Sequence, residues 1–165
     1  MSLAGQLLIA RPALQDGFFG RSVILMLQHG EEGAFGLVLN RPAQAKELPF
    51  PIFVGGPCKM EGLLMIHGNR EWLADDDDAK MEVCPGVFLG TAEQFEKATE
   101  ASDESSDGFR VFAGYAGWGP TQLEAEMSQG AWIVRPGDGD LIFKTPVQEL
   151  WETLAPPTLP EPSMN

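Results

Sequence analysis

The sequence predicts a single α+β domain, with a few short helices packed on a mixed or mainly antiparallel curled sheet. Three observations support this class. Short apolar runs, which indicate strands, outnumber the helical patterns. The runs do not alternate regularly with helices, which disfavours a doubly wound parallel sheet. A chain of 165 residues, 44% of them hydrophobic, has the size and the apolar content of one domain with its own core.

In the first half of the chain, apolar runs predict strands at residues 6–10, 21–28, 35–40, 52–54 and 63–67. The second run is nearly continuous, as expected for a strand that is covered on both faces. Two glycines within residues 29–34 predict a hairpin between the second and third strands. Residues 69–82 contain the acidic run from Asp75 to Asp78. We expect this stretch to be an exposed loop, with its carboxylates solvated rather than holding a cation.

The second half predicts strands at residues 87–89, 109–113, 131–134 and 141–143, and helices at 91–101, at 121–129 and from Pro146 onwards. A capping box marks each helix start: a Ser or Thr, then a Glu or Gln three residues later. The three predicted boxes are Thr91 with Gln94, Thr121 with Glu124, and Thr145 with Gln148. We expect the domain to span residues 1–155. Residues 156–165, with four prolines, should form a loose tail.

The charge of the chain limits its partners. Its formal net charge is −13, whereas binding to bare nucleic acid rests on lysine and arginine neutralising phosphates. Direct DNA binding and attachment to an anionic membrane are therefore disfavoured. The first residues lack the basic start and long apolar region of a secretory signal. We expect a cytoplasmic protein in which Cys58 and Cys84 are free thiols.

Few residues suggest catalysis. The chain contains no G-x-S-x-G elbow and no phosphate-binding G-x-x-x-x-G-K-[ST] loop. The two histidines, His29 and His67, are far apart in sequence, and the cysteines form no C-x-x-C pair, so zinc has little support. The histidines either meet at strand ends or serve separately as structural groups that cap strands or bond backbone carbonyls. No cofactor is predicted.

The glycine-rich loop at residues 114–119 has three possible roles. Its backbone N–H groups could face an anion, although Glu124 and Glu126 would repel a phosphate. Tyr115 and Trp118 could hold an uncharged or aromatic group. The loop could also be purely structural, with glycines that permit a tight turn while Trp118 fills the core.

Two further motifs end strands. The pair Gly55-Gly56, followed by Pro57, predicts an unusual turn and leaves room for a close approach by a ligand. Arg41, after Asn40, is a candidate clamp for a carboxylate, with a salt bridge inside this acidic chain as the alternative.

Several distinctive blocks occur in a fixed order along nearly the whole chain. They are GQLLIARPALQDGFFGRSVILMLQH, GAFGLVLNRP, VGGPC, LLMIH, VFLGT, FAGYAGWGPTQLEAEM and AWIV. With these blocks the chain resembles the AlgH/YqgE family of small bacterial proteins. The resemblance implies a compact cytoplasmic α+β domain of poorly defined role, often labelled a transcriptional regulator. It brings no reaction, cofactor or agreed catalytic residue.

The resemblance implies a shared surface of candidate residues. These are His29, Asn40, Arg41, Gly55, Gly56, His67, Gly117, Trp118, Gln122 and Glu124, with Pro42 and Pro57 beside them. The chain departs from the family pattern at two positions. Relatives usually have glycine where this chain has Thr121, and valine where it has Cys58.

We therefore expect an uncharacterised regulator or adaptor without enzymatic activity. It would act through a protein partner or a small ligand rather than by direct DNA binding. The alternative is a small hydrolase or transferase, with a site at one sheet edge formed by His29, Arg41, His67 and the Trp118 loop. There a histidine would act as general base near neutral pH.

Overall fold

A computed structural model of the chain describes residues 2–11, 20–43, 51–73, 82–100 and 108–155. Its strands are β1 Gln6–Ala10, β2 Val23–Gly30, β3 Gly33–Val38, β4 Pro42–Ala43, β5 Ile52–Val54, β6 Leu64–His67, β7 Glu82–Cys84, β8 Val87–Leu89, β9 Phe109–Ala113, β10 Ala116–Trp118 and β11 Trp132–Pro136. Its α-helices are α1 Ala92–Glu100, α2 Gln122–Ser128, α3 Gly139–Lys144 and α4 Leu150–Leu154. Short 3-10 helices occupy Arg70–Trp72 and Val147–Glu149.

The strands form two sheets in one α+β domain, so the predicted fold class is confirmed. The first sheet has five strands in the order β10-β3-β2-β1-β11, and all its pairs are antiparallel. The second has six strands in the order β4-β5-β9-β6-β8-β7. Only the pair β5 and β9 is parallel among its described pairs. The second sheet is therefore mixed.

Side-chain alternation along the first sheet builds two apolar layers, because successive residues of a strand point to opposite faces. Leu7 and Ile9 pack in the central core with Phe53 and Phe112 of the second sheet. Leu8, between them, packs in a separate outer cluster. Every one of these side chains is buried, which explains the nearly continuous apolar runs.

Two of the four described α-helices, α1 and α2, cover outer faces of the sheets. Leu123 of α2 packs in the outer cluster of the first sheet. Phe95 of α1 packs against the outer cluster of the second sheet. Ile142 of α3 and Leu150 of α4 complete the central core instead. Each helix therefore contributes a few apolar side chains, as its shortness requires.

The two sheets are joined at Gly55 and Gly56. Gly55 accepts a hydrogen bond from Val38 N (2.8 Å) and donates one to Ala113 O (2.9 Å). A Cβ on Gly56 would lie 2.1 Å from the carbonyl carbon of Tyr115, and one on Gly55 would lie 2.3 Å from Gly114 O. The close approach expected at this turn is therefore made by the protein's own backbone.

One predicted capping box is confirmed and two are wrong. Thr91 Oγ1 accepts from Gln94 N (3.1 Å), and Gln94 Oε1 accepts from Thr91 N (3.0 Å). Thr121 has φ +64° and makes no capping bond with its side chain; instead Gln122 Oε1 accepts from Gly119 N. Thr145 ends α3, and the 3-10 helix after Pro146 has no side-chain cap. A left-handed backbone turns the Thr121 side chain away from the helix start, which the residue spacing alone does not reveal.

Three further expectations are corrected. Residues 141–143 are helical in α3, because Asp138 accepts from Asp140 N and caps a helix where a strand was expected. Residues 116–118 of the predicted glycine loop form strand β10. Strand β7 was missed; it begins at residue 82, where the predicted loop 69–82 ends, and its three residues are too short for a periodic pattern. The acidic run from Asp75 to Asp78 and the tail 156–165 lie outside the described residues.

Candidate functional site

The clefts of the described structure divide the candidate residues into groups. A cleft of about 860 Å³ is lined by His29, Gly117 and Trp118, together with Glu31, Glu32, Phe35 and Tyr115. We call it the acidic cleft. A cleft of about 350 Å³ contains Asn40 and Arg41, together with Arg21, Ser22, Gln148 and Trp151. We call it the arginine cleft. A third, of about 1120 Å³, lies beside α3 and contains none of the candidate residues.

His29 stands at the end of β2, with only 6% of its side chain exposed. Its Nδ1 accepts a hydrogen bond from Leu3 N (2.9 Å), and its Nε2 lies 2.8 Å from Glu124 Oε2. Because Nδ1 accepts, the ring proton of neutral His29 resides on Nε2 and is donated to the carboxylate. This hydrogen bond is the main cause that lowers the pKa of exposed Glu124. Both ring nitrogens are therefore engaged.

His67 shows the same arrangement in the other sheet, at the end of β6. Its Nδ1 accepts from Asn69 N (3.1 Å), and its Nε2 lies 3.0 Å from Gln94 Oε1. Gln94 Nε2 donates to Trp72 O, which fixes the amide so that its oxygen faces the histidine. Burial lowers the pKa of His67, so the neutral ring is favoured.

The two histidines lie in different sheets and have different partners. Each stands at a strand end, as expected of a structural histidine, and accepts from a backbone N–H group rather than bonding a carbonyl. Arg41 borders the arginine cleft rather than the acidic one. The structure therefore does not bring His29, His67, Arg41 and the Trp118 loop together at one sheet edge.

A carboxylate that was not among the candidate residues holds Trp118, one of the residues that line the acidic cleft. Glu126 Oε1 accepts from the indole N–H of Trp118 (2.9 Å) and from that of Trp132 (2.8 Å). The two rings meet edge to face at 6.3 Å. Gln122 lies four residues before Glu126 on α2, and its Nε2 is 3.4 Å from Glu126 Oε2. The spacing of Gln122 and Glu126 is the signal that could have indicated this network.

The acidic cleft combines negative charge with aromatic surface. Glu31 and Glu32 occupy the turn between β2 and β3, and both line the cleft. Phe35 and Tyr115 meet edge to face at 6.0 Å. No lysine or arginine is among the described residues that line it. Carboxylates beside ring faces favour a cationic group and disfavour a phosphate.

The arginine cleft has the opposite character. Asn40 Oδ1 accepts from Val23 N (3.0 Å), and its Nδ2 donates to Arg21 O (2.9 Å), so Asn40 fixes the start of β2. Arg41 Nη2 lies 3.5 Å from Gly20 O. The Arg21 guanidinium lies 4.7 Å from the centre of the Trp151 ring and pairs with Glu152 at 3.5 Å. Ser22, which sequence reasoning missed, is 1% exposed in this cleft.

Gly55 and Gly56 are buried at the joint between the sheets. Cys58 is half-buried in the acidic cleft, and Cys84 is buried; both thiols are free. Burial raises the pKa of Cys84 to about 12. Among the described residues, no cluster of three or more His, Cys, Asp or Glu side chains suits a metal ion. None of the described helices has the length and apolar content needed to cross a membrane.

Comparisons with known proteins converge on one description. A family model described as AlgH-like matches residues 7–158. A UPF0301 protein of Xanthomonas campestris pv. campestris is 36% identical over 170 residues, covering 93% of this chain and 87% of the relative. A UPF0301 protein of Xanthomonas euvesicatoria pv. vesicatoria is 37% identical with the same coverage.

Solved structures agree with the fold. The solution structure of the AlgH protein from Pseudomonas aeruginosa matches with a TM-score of 0.68 and 28% identity, covering 93% of this chain and 87% of that one. A crystal structure of a protein from Corynebacterium diphtheriae matches with a TM-score of 0.73 and 22% identity, covering 92% and 85%. At that identity, the second match supports the fold alone.

Proposed function

The chain belongs to the AlgH-like family, and from this premise we propose that it is a cytoplasmic adaptor or regulator without enzymatic activity. It acts by binding a protein partner through the acidic cleft. The partner presents a basic segment, with lysine or arginine side chains that enter the cleft. Direct contact with DNA is not part of this function.

The observation that carries the proposal is the composition of the acidic cleft. Glu31 and Glu32 supply negative charge at its rim, and Phe35 and Tyr115 supply ring surface. A guanidinium or ammonium group gains from both, because ring faces attract cations and carboxylates pair with them. A phosphate backbone would meet repulsion there, as it would from the net charge of −13.

The enzymatic alternative has less support. A general base needs a ring nitrogen within reach of a substrate proton. In His29 both nitrogens are held, by Leu3 N and by Glu124. His67 is fully buried and lines none of the three clefts described above. Holding a histidine ring in a fixed position by hydrogen bonds is a structural use of the residue.

Peptide titrations followed by NMR test the proposal. Three synthetic peptides would have the same length and the same sequence except at three positions. These three positions are all arginine in the first peptide, all glutamine in the second and all glutamate in the third. We expect the arginine peptide to shift the amide signals of the acidic cleft with a Kd of about 1 mM or tighter. The glutamate peptide should not bind.

Two double variants that remove the same charge distinguish binding in the acidic cleft from attraction by the net charge of the protein. Glu31→Gln with Glu32→Gln should weaken binding of the arginine peptide. Glu61→Gln with Glu71→Gln removes the same charge from exposed positions that do not line the acidic cleft, and should weaken it much less. Equal losses in the two double variants, or equal binding of the three peptides, would refute the proposal. Tight, sequence-selective DNA binding in a gel-shift assay at physiological salt would also refute it.

A further inference from the structure

We propose that His29 is a pH-sensitive latch. In its neutral form the ring holds residues 2–4 against the end of β2, and a proton on Nδ1 releases them. The added charge on the ring also weakens the binding of a basic segment in the acidic cleft, which His29 lines. Only this second effect rests on the proposed function; the release of residues 2–4 does not depend on it.

Residues 2–4 are held to β2 through His29. Among the described residues, both of their hydrogen bonds to this strand involve it: Leu3 N donates to ring Nδ1 (2.9 Å), and Ser2 Oγ lies 3.4 Å from the backbone oxygen. The second bond is long for a hydroxyl donor, so the first is the stronger. Gly5 is held independently, because its N–H donates to a backbone oxygen of β2 at 2.8 Å. Loss of the ring bond would therefore loosen only the residues before Gly5.

The two ring nitrogens determine which bond a proton breaks. Nε2 carries a proton in both forms of the ring and donates to Glu124 Oε2 (2.8 Å) in both. In the neutral ring Nδ1 has a lone pair, which accepts from Leu3 N. A second proton can bind only at that lone pair, and the cation would then place two N–H donors face to face. Protonation therefore removes the bond to Leu3 and leaves the bond to Glu124 in place.

Opposing influences act on the charge of the ring. The titratable side chains around it are Glu124 on α2, Glu31 and Glu32 in the turn between β2 and β3, and Cys58 and Tyr115 elsewhere in the cleft. The pKa of Glu124 is lowered mainly by its hydrogen bond to His29 and least by the positive amino terminus, so the amino terminus opposes protonation of the ring only weakly. The carboxylates favour the cation, whereas the bond from Leu3 favours the neutral ring. Histidine is the side chain best suited to respond to pH near neutrality.

Protonation changes the charge of the acidic cleft by one unit. A lysine or arginine side chain that enters the cleft would be repelled by the imidazolium, which partly cancels the attraction of Glu31 and Glu32. The cleft should therefore bind a basic segment more weakly when His29 is protonated.

NMR of the protein labelled with nitrogen-15 tests the latch, as the pH is lowered from 8 until both ring nitrogens of His29 carry protons. At pH 8 the imidazole signals should show a proton on Nε2 and none on Nδ1. Hydrogen exchange of the Leu3 amide, corrected for the effect of pH on an unstructured chain, should become about tenfold faster or more as the ring is protonated. The Gly5 amide is the internal control and should keep its protection.

His29→Gln is the variant that does not titrate. Its amide offers one acceptor and one donor, as the neutral ring does, so the protection of Leu3 should no longer depend on pH. If this variant fails to fold, the measurements on the parent protein decide by themselves.

The arginine peptide described above tests the effect on the cleft. Its Kd for the parent protein should weaken about threefold or more when His29 is protonated, and should change less for His29→Gln. If the peptide binds the parent at neither pH, the proposed function and this second effect both fail, whereas the exchange of Leu3 still decides whether the latch exists. If the parent and His29→Gln respond equally to pH, the proposed function stands and the second effect is wrong.

Two results would overturn the latch itself. The first is a Leu3 amide whose protection does not change when His29 becomes protonated. The second is a ring that becomes protonated only as the whole protein unfolds, because the release of residues 2–4 would then not be a local event.

Discussion

His29 donates from Nε2 to Glu124 Oε2 across 2.8 Å, and this bond joins β2 to the helix α2. The same ring accepts from Leu3 N, so one side chain connects three separate parts of the chain. The bond to His29 is the largest cause of the lowered pKa of Glu124.

That lowered pKa predicts an acid-sensitive contribution to stability. The contribution of Glu124 is present above its unfolded pKa, ordinarily 4.5, and is lost as the pH falls through the depressed folded value. Glu124→Gln should therefore be less stable than the parent at pH 6, and the difference should shrink as the pH decreases below 4.5. Urea unfolding at each pH measures it. A difference that stays constant to pH 3 would contradict the assignment.

Burial of His67 predicts a second loss of stability as the pH falls. Its folded pKa lies below the ordinary value of 6.5, so the unfolded state binds more protons between the two values. The free energy of unfolding should therefore decrease as the pH falls below about 6.5. An NMR titration of the imidazole should give a midpoint under that of a free histidine. A midpoint at or above 6.5 would show that the ring is not buried as described.

Two threonines at helix starts should respond in opposite ways to mutation. Thr91→Ala removes a capping bond and should cost about 1 kcal/mol. Thr121→Gly removes a β-branched side chain from a left-handed backbone position and so relieves backbone strain. It should stabilise the protein by about 0.5–1 kcal/mol once the entropy cost of glycine is subtracted. Urea denaturation of both variants measures the pair. Loss of stability in both would mean that Thr121 caps α2 after all.

The joint between the sheets should not tolerate a side chain. Gly56→Ala places a methyl group 2.1 Å from the Tyr115 carbonyl carbon and should cost about 3 kcal/mol or more. Gly108→Ala is the matched control, because a Cβ there meets no atom of the described residues within 4 Å. Thermal unfolding of both compares them. Similar stabilities would mean that the two backbones separate easily.

Sequence reasoning predicted those features that depend on local pattern. The buried strands β1, β2, β6 and β9 follow from continuous apolar runs, and the Thr91 cap follows from residue spacing. Features set by long-range contacts were missed. Two indoles share Glu126 because the rings of Trp118 and Trp132 meet, although these residues belong to β10 and β11, the two edge strands of the first sheet.

The candidate residues illustrate the same limit. The motif pattern pointed to Asn40 and Arg41 but could not separate their cleft from that of His29. It also gave Gly55 and Gly56 as surface candidates, whereas both are buried against the 113–116 segment. A glycine needed for close contact with the backbone has the same sequence signature as one needed for a ligand.

The position of β1 has a consequence for biosynthesis. This strand lies between β2 and β11, and β11 is the last of the described strands along the chain. During translation the nascent chain can pair β1 with β2, but the other edge of β1 stays open until residues 132–136 leave the ribosome. An exposed edge can pair with another chain. Ribosomes stalled before this point should therefore carry an aggregation-prone intermediate that chaperones recognise.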